Sequence, residues 1–188
     1  MPTGYQIKDQ DKAHYVTLQI VAWVDIFTRK IYRDIIIDAL NYCNRHKQLK
    51  IYGYVIMSNH VHLLVRSNNE NLSGTLRDFK SFTSKEILKA IEVGPESRDK
   101  WMLAIFKNAA IKHKRNSDYQ VWTHENHAVE IFSSKFVEQK LDYIHNNPVR
   151  AGIVIEPEHY LYSSARDYSG EDGLVDVDVI QRKWKTVR

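Results

Sequence analysis

The spacing of apolar residues predicts a β-α-β-β order in the first third of the chain. Residues 14–24 are rich in β-branched and aromatic side chains, which is typical of a strand. Residues 31–46 carry apolar side chains near helical spacing with charges between them, so they predict a helix. Residues 50–57 indicate a second strand. After a short turn or bulge at residues 58–59, the stretch to residue 66 indicates a third.

Helical spacing returns in the next segment. Residues 71–93 predict a long helix, which ends at Gly94-Pro95, and residues 101–110 predict another. Pro148 disfavours helical geometry at Asn147, so a later helix is expected to end about there. The later elements are shorter: strands at 119–122 and 127–131, the helix at 135–145 with Ser133 or Ser134 as its N-cap, a short helix at 159–168 and a strand at 173–180.

This order of elements predicts an α+β protein. A β-α-β-β-α-β core is the ferredoxin-like plan, an antiparallel sheet with helices packed on one face, here with additional helices. The other face of the sheet is then free for a site. We expect a single domain over residues 1–188, with its core at about 14–152 and a C-terminal extension at 153–188.

The composition excludes several classes of protein. Hydrophobic residues make up 43% and charged residues 27% of the 188, which suits a globular protein in water. No apolar run approaches the roughly 18 residues that span a bilayer, and the polar N-terminus is not a signal peptide, so no membrane partner is expected. The single Cys43 excludes an internal disulfide and fits a cytoplasmic location.

The charge is mildly basic. Lys and Arg number 27 and Asp and Glu number 23, a net charge of +4, which permits a nucleic-acid partner without requiring one. If the partner is a nucleic acid, the residues predicted to contact its backbone are Arg77, Lys80, Lys112, Lys114, Arg115 and Arg150.

The candidate chemistry begins with His60-Val61-His62 in the third strand. Successive side chains of a strand point to opposite faces, so both imidazoles share one face while Val61 faces the core. Two imidazoles one residue apart can reach the same small ion, and imidazole is the commonest metal ligand. The alternative is a pair of ordinary surface histidines.

A second set of candidates lies near the end of the 135–145 helix. Tyr143 and Asn147 are four residues apart and share a helix face if the turn persists. A tyrosine beside a metal site can attack phosphorus, and the amide oxygen of Asn147 suits Mg²⁺ or Mn²⁺. The alternative for Tyr143 is a packing residue with its hydroxyl in water.

These motifs resemble a known superfamily. The segment around His60-Val61-His62 is similar to the histidine–hydrophobic–histidine motif of the HUH endonucleases. Residues 141–152, LDYIHNNPVRAG, resemble the tyrosine motif of the single-tyrosine transposases, in particular the REP-associated tyrosine transposases and insertion-sequence proteins. Residues 119–122 and 162–168 also resemble stretches found there, so the likeness runs from about residue 15 to 168.

The resemblance implies roles for particular residues. It implies His60 and His62 as metal ligands, Tyr143 as the nucleophile and Mg²⁺ or Mn²⁺ as the cofactor. Insertion-sequence members commonly carry Gln four residues after the tyrosine as a third ligand. Asn147 stands there with a side chain one methylene shorter, which leaves direct ligation and a bridging water open. His145 is a second candidate for a supporting role.

The function that follows is that of a DNA transposase. It would cleave single-stranded DNA through a 5′-phosphotyrosine intermediate at hairpin-containing ends, with a homodimer as the expected assembly. One rival is a nucleic-acid-binding module without catalysis. The other is a metal-dependent nuclease that uses water as its nucleophile.

Overall fold

The computed structural model describes residues 7–113 and 118–181, and in these ranges it contains one antiparallel sheet. Its strands are β1 (His14–Gln19), β2 (Leu49–Ile56), β3 (His60–Ser67) and β4 (Val129–Glu130). They lie in the order β2-β3-β1-β4. With helices between β1 and β2 and between β3 and β4, this is the ferredoxin-like plan, so the predicted fold class is confirmed.

Two long helices cover one face of the sheet. Helices α1 (Lys30–Lys47) and α2 (Leu72–Val93) pack against each other and against β2 and β3. Their buried stripes recur every three or four residues, as in Ile36 and Leu40 of α1. Helix α3 (Asp99–His113) packs beside α2. The helices predicted at residues 31–46, 71–93 and 101–110 are therefore confirmed to within a few residues.

A fourth helix occupies the face of the sheet that the sequence predicts to be free. Helix α4 (Ser134–Arg150) rests Leu141 and Ile144 on Gly53 of β2, where an added Cβ would lie 2.6 Å from Leu141 Cδ2. Gly53 pairs with Leu64, which lies on the same face of β3 as His62. Helix α4 therefore lies across the histidine face.

The prediction of a strand from residue 14 to 24 is wrong beyond Gln19. The chain turns through a 3₁₀ helix at Val21–Trp23, in which Ala22 has a φ of 53° and Trp23 a φ of 57°. Ile20, Val21 and Val24 are still buried, so the apolar pattern is satisfied by packing without a ladder. Strand geometry is similarly reduced in residues 119–131, where Trp122 forms only an isolated bridge with Ile20.

The predicted end of the fourth helix at Asn147 is also wrong. Helix α4 continues through Pro148, whose ring is buried, to Arg150. Proline removes one backbone donor, but the amide of Ala151 still donates to the carbonyl of Asn147 at 3.0 Å and that of Ile153 to the carbonyl of Pro148 at 2.9 Å. The turn after the proline is thus retained, which keeps Tyr143 and Asn147 on one continuous helix.

The C-terminal region differs from its prediction as well. In place of one helix at 159–168 there is a 3₁₀ turn at Pro157–His159 and helix α5 (Ala165–Ser169). Residues 173–180 do not form a strand, although the amide of Asp178 donates to the carbonyl of Ile51 at 2.8 Å. Asn41 of α1 donates to the carbonyl of Leu174 at 2.9 Å. Side chains of α1 therefore make hydrogen bonds to this segment that a partner strand would otherwise make.

No helix in the described ranges is long and apolar enough to cross a membrane.

The N-cap of α4 provides a test of the local structure. The Ser133 hydroxyl accepts the N–H of Phe136 at 3.2 Å, so Ser133 and not Ser134 caps the helix. Ser133→Ala should lower the free energy of unfolding by about 1 kcal/mol, because the Phe136 N–H in the first turn loses its side-chain acceptor. Urea unfolding measures the loss, with Ser134→Ala as the control. Equal losses in the two variants would contradict the assignment.

Candidate active site

The two histidines of β3 lie side by side beneath helix α4. The centroids of the His60 and His62 rings are 4.6 Å apart. His62 is buried, with 5% of its surface exposed, and His60 is half-buried. The shared face predicted from strand alternation is therefore present.

The neighbour of His60 determines which of its nitrogens carries the proton. Asn59 Nδ2 donates to the carbonyl of Trp23 at 3.3 Å, which orients Asn59 Oδ1 towards His60. That oxygen lies 2.7 Å from His60 Nδ1 and can only accept a hydrogen bond. Nδ1 of His60 is therefore the donor, and Nε2 keeps a free lone pair.

His62 is held by two hydroxyl groups from β1. Its Nδ1 lies 2.8 Å from the hydroxyl of Tyr15 and 2.9 Å from that of Thr17, the residue directly opposite it in the sheet. Within the described residues, Nε2 of His62 is buried and has no hydrogen-bond partner. A hydrogen on that buried nitrogen would be unsatisfied, whereas a lone pair there suits a cation.

Burial keeps both imidazoles neutral. Burial first of all, together with the nearby His60 and Lys140, lowers the pKa of His62 from its ordinary 6.5 to about 3. Burial also lowers the pKa of His60. Neutral imidazole is the form that binds a metal ion.

The donor set fits a metal ion only in part. Across residues 7–113 and 118–181, no group of three or more His, Cys, Asp or Glu side chains could hold one. The histidine pair therefore needs a ligand of another type. Asn147, one turn after Tyr143 on α4, is half-buried and carries an amide oxygen of the right chemistry.

Tyr143 lies edge-on to the buried histidine. Its ring centroid is 5.3 Å from that of His62 and 6.2 Å from that of Tyr15, both in perpendicular arrangements. The side chain is 38% exposed, so a large substrate can reach it. The guanidinium of Arg150 lies 5.4 Å from the Tyr143 ring centroid, which places a positive charge beside the phenol.

His145, predicted as a candidate for a supporting role near Tyr143, contacts Ser164 instead. It is buried, and its Nε2 lies 2.9 Å from the Ser164 hydroxyl. Ser164 in turn receives the backbone N–H of Tyr54 in β2 at 2.9 Å. His145 thus fastens α4 to the outer edge of the sheet, on a different side of the helix from Tyr143.

The predicted basic residues are spread over several elements. Arg150 is beside Tyr143, and Arg77 lies on α2 in an open groove of about 650 Å³ that Trp122 also lines. Lys112 lies near the end of α3, in a second groove of about 760 Å³. Lys114 and Arg115 lie outside the described residues.

Lys80 holds a loop together. Its ammonium donates to the carbonyl of Thr123 at 2.7 Å, the carbonyl of His124 at 3.3 Å and Asn126 Oδ1 at 2.8 Å. Burial lowers its pKa to about 8. All three ammonium hydrogens are used within the protein, which differs from the exposed phosphate contact predicted for it.

Sequence reasoning missed the residues that orient the histidines. Tyr15 and Thr17 are spaced in β1 as the two histidines are in β3, and this polar alternation was the available signal. Asn59 gives no such signal, because its role depends on the turn at Trp23.

The fold and site define a ferredoxin-like protein in which a strand-borne histidine pair faces a helix-borne tyrosine. A family model described as "Transposase IS200 like" matches residues 12–147, more than half of the chain. The chain therefore belongs to the IS200-like transposase family, and the resemblance predicted from the two motifs is confirmed.

Two solved structures are similar to this chain. One is a REP-associated tyrosine transposase bound to a REP hairpin, at 15% identity and a TM-score of 0.57, covering 99% of this chain and 98% of the other. The second is a candidate transposase from Deinococcus radiodurans, at 16% identity and a TM-score of 0.36, covering 78% and 95%. The first agrees with the fold described above. A comparison with curated proteins gives no match.

The burial of His62 predicts an acid-sensitive stability. Below pH 6.5 the unfolded chain takes up a proton on this residue, whereas the folded protein does not until about pH 3. As the pH is lowered from 6.5 to about 3, the free energy of unfolding should therefore fall, and this group contributes at most about 1.4 kcal/mol per pH unit. His62→Gln should flatten the pH dependence in urea titrations.

The control for this measurement is His46→Gln, at an exposed position near the end of α1. It should leave the slope unchanged. An identical slope in wild type and His62→Gln would show that His62 is not the group responsible.

Proposed function

We propose that this transposase cleaves and rejoins single-stranded DNA at hairpin-containing ends, with Tyr143 as its nucleophile. The observation that supports this best is the contact between the Tyr143 ring and His62, whose buried Nε2 has no partner among the described residues. The proposed nucleophile and the proposed metal-ligand nitrogen of His62 would thus act at the same place. The solved relative bound to a REP hairpin supports the choice of substrate.

His60 and His62 would hold the metal ion through their Nε2 atoms. Asn147 would complete the protein's share, directly or through a bridging water. Bound Mg²⁺ or Mn²⁺ would withdraw charge from a phosphate oxygen and so favour attack on phosphorus. Tyr15, Thr17 and Asn59 would keep the two rings oriented and their metal-facing nitrogens unprotonated.

Tyr143 would form the covalent intermediate. Its phenolic oxygen bonds to phosphorus while the bond from phosphorus to the 3′ oxygen breaks. The phenol loses its proton to solvent and the 3′ oxygen gains one, leaving a 5′-phosphotyrosine and a free 3′-hydroxyl. A second 3′-hydroxyl reverses the step on another strand. The phosphodiester linkage is conserved throughout, so the reaction requires no nucleotide cofactor.

Basic residues beside Tyr143 and in the two open grooves would hold the DNA backbone. Arg150 is positioned for the phosphate that is attacked, because its guanidinium lies beside the Tyr143 ring. Arg77 and Lys112 lie in the two open grooves and would contact more distant phosphates. Binding should therefore weaken as salt is raised.

Removal of either histidine tests the metal site. His60→Ala and His62→Ala should each weaken Mn²⁺ binding at least tenfold, because a two-histidine site with one imidazole missing loses half of its nitrogen donors. Titration calorimetry with Mn²⁺ measures this without any DNA. His46→Ala is the control. Mn²⁺ binding unchanged in both site variants would overturn the assignment.

Removal of the phenolic oxygen tests the nucleophile. Tyr143→Phe keeps the ring contacts with His62 and Arg150, so it should change the free energy of unfolding by at most about 1 kcal/mol. Cleavage of labelled hairpin single strands with Mn²⁺ should disappear on a denaturing gel, while hairpin binding persists. Tyr42→Phe, at another exposed helical tyrosine, is the control. Cleavage that persists in Tyr143→Phe would favour a water nucleophile instead.

A further inference from the structure

A pair of stacked aromatic rings, one exposed and one half-buried, marks the start of helix α4. Phe132 stacks on Phe136, with ring centroids 4.8 Å apart and an angle of 20° between the planes. Phe132 is 77% exposed, which leaves most of its ring in contact with water. A single exposed apolar side chain is common at protein surfaces, so the significance of Phe132 depends on what lies beside it.

Helix capping accounts for only part of this arrangement. A residue just before the N-cap often packs on the first turn of a helix as a hydrophobic staple. Phe132 precedes the N-cap Ser133 but stacks on Phe136, the third helical residue, whereas a staple uses the fourth. The stacking on Phe136 uses only one side of the Phe132 ring and leaves the other side exposed.

The aromatic pair is continuous with the candidate active site. The ammonium of Lys140 lies 5.0 Å from the ring centroid of Phe136 and 4.4 Å from that of Tyr15. The Tyr15 ring is stacked on His62 at 5.4 Å. Phe132, Phe136, Lys140 and Tyr143 therefore follow one another along α4 at intervals of about one helical turn.

We propose that Phe132, Phe136 and Lys140 form a stacking track for the unpaired nucleotides that flank the attacked phosphodiester. This proposal rests on the proposed function of the site and adds where the single strand lies. The exposed ring of Phe132 stacks on a base, and Lys140 pairs with a phosphate.

The chemistry of the track favours a single strand over a duplex. The faces of paired bases are covered by their neighbours in a duplex, whereas an unpaired base exposes a face that can stack on phenylalanine. Every base has such a face, so the track tolerates any sequence. Sequence recognition must then come from other parts of the surface.

The test is binding of a hairpin that carries an unpaired flank, measured by fluorescence anisotropy in the presence of a chelator so that no cleavage occurs. Phe132→Ala should weaken binding about tenfold, within the range for loss of one stacked base. The same hairpin with abasic flanking nucleotides should bind wild type and Phe132→Ala equally. Phe82→Ala, at a phenylalanine 52% exposed on α2, should change neither affinity.

Phe132→Leu separates stacking from simple apolar contact. Leucine keeps an apolar side chain but has no flat ring, so it should behave like Phe132→Ala. Affinity in Phe132→Leu equal to that of wild type would overturn the proposal, as would equal affinities for Phe132→Ala and Phe82→Ala. A smaller oligomeric mass for Phe132→Ala in light scattering, with unchanged DNA affinity per chain, would assign the pair to an interface between copies and also overturn it.

Failure of the track and failure of the proposed function give different results. If the protein cleaves hairpins but its affinity is insensitive to Phe132→Ala, only the proposal of the track is refuted. If the wild-type protein binds no single-stranded DNA, both the track and the proposed function are refuted.

Discussion

The arrangement of the candidate active site depends on how closely helix α4 approaches the sheet at Gly53. A Cβ at this position would lie 2.6 Å from Leu141 Cδ2 and 3.7 Å from Ile144 Cδ1, so only glycine permits the observed contact without a shift. Tyr143 lies between these two residues in sequence. The depth at which they pack therefore sets the height of its ring above His62. The link from His145 to Ser164 prevents the helix from moving along the sheet edge.

The sheet register supplies the second half of the site. Because β1 and β3 are antiparallel neighbours, Thr17 stands opposite His62 and Gln19 opposite His60. The hydroxyls of Tyr15 and Thr17 can then meet His62 Nδ1 on the face that α4 covers. Burial there keeps the imidazoles neutral. The alternation of side chains along β3 and the pairing of β3 with β1 therefore act together to hold neutral, oriented imidazoles.

Much of this could be predicted from the sequence, because strand alternation and helix spacing are local properties. They gave the shared face of His60 and His62, the order of elements and the fold class. What they could not give depends on distant partners. Pro148 stays helical because its neighbours still find acceptors, and Lys80 is occupied by a loop more than 40 residues away in sequence. The turn at Val21–Trp23 could not be predicted, because the apolar residues around it are buried as strand residues would be, although they lie outside the strand.

The proposed function requires that Tyr143, which helix α4 places at the histidine pair, acts as the nucleophile. Mass spectrometry of peptides from wild-type protein incubated with a hairpin single strand and Mn²⁺ tests it most directly. We expect a nucleotide attached through a phosphodiester to Tyr143 and to no other residue. A modified Tyr15, which lies at the same site with its hydroxyl against His62, or cleavage products with free 5′-phosphates and unmodified protein, would contradict it.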